Sequence, residues 1–181
     1  MTGPLDGEKI RELFDELSDE LKWTRTRAQI YIVGGAAMSL AFSRDRTTRD
    51  VDARIDAGHY RLTEAVRKLG RKHGLGDTWL NDQATTAIPR RTDTAARTVY
   101  QSPYLTVTGA SAEHLLGMKL LAAREADEGD IRTLVEHLEL RRAEEAIAIY
   151  TALFPEEPLK TRARQILQGI LPPPATAQSE R

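Results

Sequence analysis

Ile30-Tyr31-Ile32-Val33-Gly34-Gly35, followed after fourteen intervening residues by Asp50-Val51-Asp52-Ala53-Arg54-Ile55-Asp56, decides the fold. The first stretch is a β-branched run stopped by two glycines, which predicts a buried strand ending in a tight turn. The second alternates strictly: Val51, Ala53 and Ile55 point one way, and Asp50, Asp52, Arg54 and Asp56 the other. It predicts a half-buried strand with a charged face. Two carboxylates at i and i+2 then project from the same face, roughly 7 Å apart along the backbone, and repel unless a cation sits between them. Hard divalent ions such as Mg²⁺ take oxygen ligands and keep water or substrate phosphates in their other positions, so the pair suits a metal that bridges to a nucleotide. A glycine pair between a strand and a helix lets backbone amides approach phosphate oxygens.

Working outward, Ile10, Leu13, Phe14, Leu17 and Leu21 recur at intervals of three and four, predicting an amphipathic helix over residues 7–22 with an acidic outer face. Short helices are expected over residues 36–42 and around Leu62, Ala65, Val66 and Leu69, the latter ending near Gly74. Residues 75–97 are rich in turn formers and read as loop, with Trp79-Leu80 as core anchor. Residues 98–108 predict a strand, or two short strands, interrupted at Pro103. Ser111 caps a helix running to about residue 124, and Gly129 is expected to separate it from a helix over 131–138. Further helices are expected over 143–154 and 159–171, and the proline-rich residues 172–181 read as a disordered tail. The expected organisation is an α/β core over residues 1–110, a helical region over 111–171 and the tail.

Composition narrows the chemistry. The 181 residues suffice for one compact domain with a helical appendage. The absence of cysteine excludes disulfides, thiolate metal sites and cysteine nucleophiles. The four histidines, His59, His73, His114 and His137, share no ligand spacing on one predicted helix. No apolar run approaches the roughly 20 residues that cross a bilayer, and Met1 to Asp6 lack the basic and apolar regions of a signal peptide. An unexported, cytoplasmic protein with no membrane partner is expected. Net charge is −1, yet it is −5 over residues 1–21, +7 over 22–98 and −3 over 99–181. The basic middle either attracts a polyanion or is solvated surface arginine. Arg67-Lys68 and Arg71-Lys72-His73 lie on one predicted helix face, and Arg90-Arg91 form a second basic cluster.

Ile32-Val33-Gly34-Gly35, Arg46-Thr47-Thr48-Arg49-Asp50-Val51-Asp52, Trp79-Leu80-Asn81-Asp82 and Leu116-Gly117-Met118-Lys119-Leu120 together resemble the nucleotidyltransferase toxins of the AbiEii and MenT type, within the DNA polymerase β-like nucleotidyltransferase superfamily. The resemblance extends from about Ile30 to about Leu138. It implies an α+β fold, a small mixed sheet with flanking helices followed by a helical region, and Mg²⁺-dependent transfer of a nucleoside monophosphate from a nucleoside triphosphate. For MenT-type members it implies CTP or UTP as donor, the 3′ end of tRNA as acceptor, blocked translation, and a cognate antitoxin protein. Asp50 and Asp52 fall on the metal-binding pair, and Gly34 and Gly35 on the phosphate-facing turn. Many superfamily members have Gly-Ser there, with a shorter spacer to the first aspartate.

Other residues carry two readings each. Lys119 shares a predicted stripe with Leu115, Met118 and Ala122, so it must snorkel or find an anion; the resemblance makes that anion a triphosphate. Asp130 either caps the helix expected from Ile131 or supplies the family's further acidic residue, and Asp82 either reaches the metals or closes a turn. Arg46 and Arg49 are surface arginines or forks on phosphate groups. Thr48 either favours the strand conformation or caps a turn, or it matches the Ser or Thr that MenT-type antitoxins phosphorylate, which adds about −2 charge where a triphosphate must bind. Two alternatives to the toxin remain at this stage: a nucleotidyltransferase modifying a small hydroxyl compound such as an aminoglycoside or lincosamide antibiotic, and a noncatalytic partner-binding protein.

Overall fold

The structure, a computed structural model, describes residues 3–43 and 45–171, so the expected tail lies outside the described residues. The chain has the expected α+β architecture. A five-stranded mixed sheet, in the order β3-β2-β1-β5-β4, is built from β1 (Ala28–Ile32), β2 (Val51–Ala57), β3 (Leu80–Asn81), β4 (Arg97–Gln101) and β5 (Leu105–Gly109). β1 sits at the centre, antiparallel to β2 and parallel to β5, which places its C-terminal end beside the start of β2. β4 and β5 form a hairpin around Pro103, so the proline separates two strands.

Helix α1 (Gly7–Trp23) is started by Asp6, whose side chain accepts from the Lys9 amide at 2.8 Å, and buries Ile10, Leu13, Phe14, Leu17 and Leu21. It packs on α3 (His59–His73), which ends at the left-handed Gly74. The acidic face of α1 meets the basic face of α3: Lys68 Nζ lies 2.7 Å from Glu20, and Lys72 Nζ and His73 Nε2 lie 2.6 and 2.8 Å from Glu16. Part of the charge segregation along the chain is therefore closed internally, through Glu16 and Glu20. Val51 and Ala53 of β2 are buried and Asp52 and Arg54 half-buried, as alternation requires, but Ile55 is only half-buried and the alternation weakens toward exposed Asp56 at the strand's end.

The second half stacks α4 (Ala112–Ala122), α5 (Glu128–His137), α6 (Ala143–Leu153) and α7 (Thr161–Ile170), with α4 also touching α2 (Gly34–Ala41). Ser111 caps α4 by accepting from the His114 amide. Three expectations require correction. Helix α2 begins at Gly34 rather than after the glycine pair. Residues 75–97 contain the edge strand β3 and a 3₁₀ turn over Gln83–Ala87, too short to carry a period. Gly129 lies inside α5, because the break after α4 is made by the left-handed Ala123 and a 3₁₀ turn over Glu125–Asp127. Among the described residues no helix is long and apolar enough to cross a membrane.

Candidate active site

The turn from β1 into α2 meets the start of β2, because the Val33 amide donates to the Asp52 carbonyl at 2.9 Å. Gly34 has φ +62°, and a Cβ there would stand 3.3 Å from Asp52 Oδ2; at Gly35 a Cβ would stand 2.7 Å from Thr48 Oγ1. The glycine pair therefore allows a carboxylate and a hydroxyl-bearing loop to approach the N-terminus of α2 more closely than any side chain would permit. Val33, the N-cap, supplies no side-chain hydrogen bond, leaving the opening amides of α2 without a side-chain cap. Thr48 donates its hydroxyl to the Asp50 carbonyl at 3.0 Å, while its backbone pairs with Leu5 in both directions. That pairing pins the loop that leads into Asp50.

Burial pushes the Asp52 carboxyl above the ordinary carboxylate range, and neighbouring Asp50 adds to the rise; the Asn81 amide and the charges of Arg124 and Lys119 act in the opposite sense. Asn81 is held there by the parallel register, which sets it opposite Asp52. Neither Asp50 nor Asp52 forms an ion pair with a described lysine or arginine. Two unneutralised carboxylates on adjacent outward positions are an oxygen-only donor set that fits Mg²⁺. Among the described residues no third aspartate, glutamate or histidine joins them in a cluster. A cation held by such a pair keeps most of its positions for water and phosphate oxygens.

Around this pair lies a buried charge network. Lys119 Nζ is 2.7 Å from both Asp127 Oδ1 and Asp130 Oδ2, so its anion partners are two carboxylates of its own chain. Arg46 forks onto Asp130, Nε to Oδ1 at 2.9 Å and Nη2 to Oδ2 at 3.2 Å, and also donates to the Thr47 carbonyl. Ser39 of α2 donates to the Arg46 carbonyl. Asp130 sits in the first turn of α5 with its side chain committed to Arg46 and Lys119, not to a cap. Thus the helical half grips the loop carrying Thr48 and Asp50. Asp82 stands apart, 60% exposed and 3.8 Å from His59.

Arg124 is the residue that sequence reasoning passed over. It follows Ala123, whose φ of 50° swings the chain out of α4, and its amide donates to Asp127 Oδ2 at 3.2 Å. Its exposed guanidinium has no ion-pair partner among the described residues, and its charge reaches Asp52. A glycine at position 123 would have signalled the turn; an alanine there gives no such signal. Asn81 was visible only inside the Trp79-Leu80-Asn81-Asp82 stretch, because a two-residue strand has no period to reveal its register.

Residues 8–166 match the model of a family described as Nucleotidyltransferase of unknown function (DUF6036). The chain belongs to this family. No curated protein matches it, and neither does a solved structure. As a nucleotidyltransferase it takes a nucleoside triphosphate as donor, and the match crosses from the sheet into the helices that hold Lys119, Arg124 and Asp130.

Proposed function

We propose that this nucleotidyltransferase is the toxin of a toxin–antitoxin system, transferring a nucleoside monophosphate from a pyrimidine nucleoside triphosphate, CTP or UTP, to the 3′ end of tRNA in the cytoplasm. The transfer blocks aminoacylation and hence translation. One observation carries the chemistry: half-buried Asp52, next but one to half-buried Asp50, abuts the glycine-opened start of α2 within reach of the charges of Arg124 and Lys119, and neither carboxylate has an ion-pair partner among the described residues. The choice of tRNA, of a pyrimidine donor and of an antitoxin partner rests on the resemblance to the AbiEii and MenT type.

Asp50 and Asp52 would hold Mg²⁺, which supplies Lewis-acid stabilisation of phosphate charge and eases deprotonation of the attacking hydroxyl when bound. The chain's own part is positioning and charge. The opening amides of α2 donate to the triphosphate. Arg124 offsets its charge by direct contact, and Lys119 adds its field from the place where Asp127 and Asp130 hold it. Arg46 and Asp130 keep the Thr48–Asp50 loop against α2. In the transfer, the 3′ oxygen of the acceptor bonds to the α-phosphorus as the bond from that phosphorus to the α–β bridging oxygen breaks. Pyrophosphate leaves with the electron pair, and the hydroxyl proton passes to solvent. Phosphorylation of Thr48 by an antitoxin would fill this space with about two negative charges and close the site to triphosphate.

The test is incubation with each α-labelled nucleoside triphosphate, Mg²⁺ and deacylated tRNA, beside parallel reactions with aminoglycosides and lincosamides. Label from CTP or UTP at the 3′ end of tRNA is expected. Label on an antibiotic, or on neither acceptor, overturns the proposal.

A further inference from the structure

Asp50 also lines a second space. A cleft of about 520 Å³, bordered by Pro4, Arg49, Asp50, Leu75, Gly76 and Trp79, opens between the N-terminal segment and the loop after α3. None of Gly34, Gly35, Lys119 or Arg124 is among the described residues of its wall. Asp52, by contrast, abuts the α2 turn and feels Arg124 and Lys119. Asp50 thus borders this cleft, while Asp52 faces the α2 turn and its cationic neighbours. In a displacement at phosphorus, the attacking and leaving oxygens stand roughly in line on opposite sides of the reacting atom. With the triphosphate against the α2 turn beside Asp52, the cleft beside Asp50 offers the attacking hydroxyl a separate approach.

The cleft's chemistry fits a nucleotide. Its volume falls within the roughly 300–1,000 Å³ range of small-molecule sites. Pro4 and half-buried Leu75 offer apolar surface over a floor made by Trp79, which is 3% exposed and donates its indole Nε1–H to the Val66 carbonyl. A base buries its faces against such apolar surface. Arg49 at the edge is exposed and has no ion-pair partner among the described residues, so its guanidinium is available to a backbone phosphate. Gly76 faces open space: no heavy atom lies within 4 Å of where its Cβ would be, and its φ is not left-handed.

We propose that this cleft is the acceptor subsite, holding the 3′-terminal nucleoside of a single-stranded RNA end with its base against Pro4 and Leu75, its 5′ phosphate on Arg49 and its 3′ hydroxyl toward Asp50. The assignment rests on the transferase function proposed above and specifies where its acceptor enters. Two variants test it. Gly76→Phe adds a ring at the cleft wall, where a Cβ meets no neighbour, and Arg49→Glu reverses the charge at its edge; thermal melting shows whether each stays folded. Affinity for a 5′-labelled short RNA ending in CCA, measured by fluorescence anisotropy without nucleotide, is expected to fall at least fivefold in each. In the transfer assay the KM for RNA is expected to rise at least tenfold, with the KM for the triphosphate unchanged. A rise in the triphosphate KM with RNA affinity intact would assign the cleft to the donor's base and overturn the proposal. So would wild-type behaviour of both variants in an enzyme that labels RNA. If the wild type labels no RNA but binds the oligonucleotide in a Gly76-dependent manner, the transfer function fails while the subsite stands.

Discussion

Gly35 and Thr48 belong to segments thirteen residues apart, yet a single methyl group would force them apart. In Gly35→Ala the new Cβ would lie 2.7 Å from Thr48 Oγ1 and 2.9 Å from its Cβ, so the Thr48 loop must shift. Overpacking of this kind costs about 1–3 kcal/mol. A lowered melting temperature is expected, with transfer activity falling further than stability explains, because the same loop carries Asp50. Arg124 makes a different kind of contribution. Arg124→Gln removes a charged partner for phosphate worth about 1.5–3 kcal/mol, and the KM for the triphosphate should rise roughly tenfold to a hundredfold with the fold intact. An unchanged KM would assign Arg124 to solvent. The Asp50–Asp52 pair and the glycines were legible as residues, because alternation and a Gly-Gly stop are local patterns. The partners of Lys119 were not, since Asp127 and Asp130 reach it only through the turn at Ala123.

At the scale of elements, helices with a full apolar stripe were legible: α1 and α3 lie within a few residues of their expected bounds because burial of one face sets their period. Elements held by long-range pairing were not. β3 exists because β2 offers it an edge, and α5 starts before Gly129 because the preceding turn delivers the chain there in helical register. The start of α4 shows a similar dependence. Asp93, on the loop before β4, accepts from Tyr31 Oη at 2.7 Å and from the Ser111 amide at 2.8 Å, and lies 3.4 Å from His114 Nδ1. Burial alone would raise its carboxyl; the Ser111 and Tyr31 hydrogen bonds outweigh that and hold it below the ordinary range. A carboxyl lowered by folding stabilises the fold above its unfolded pKa, and that stability is lost as pH falls through the folded value. Urea denaturation should therefore find Asp93→Asn clearly less stable than wild type at pH 7, with the gap closing toward pH 3. A gap independent of pH would contradict this account of the loop.

For the molecule as a whole, the sequence predicts a basic middle and acidic flanks, and folding folds one onto the other. Lys68 and Lys72 are spent on Glu20 and Glu16, whereas Arg49 and Arg124 remain unpaired among the described residues beside the carboxylate pair. Charge counts along a chain do not reveal which faces will meet, nor did they reveal the strand order that sets the glycine turn against Asp52. Lys68→Ala and Lys72→Ala should accordingly leave the KM for RNA within about twofold of wild type, because exposed pairs contribute little and those lysines are not the RNA surface. A large rise would place RNA binding on α3. The family match spans both halves, and the Arg46–Asp130–Lys119 network joins them around the site. The most direct test of that site compares wild type with Asp52→Asn, which keeps the side chain's shape and removes its charge, in transfer of α-labelled CTP or UTP to tRNA with Mg²⁺. The account predicts labelled tRNA 3′ ends from the wild type and essentially none from the equally folded variant. Equal labelling by both proteins would contradict it.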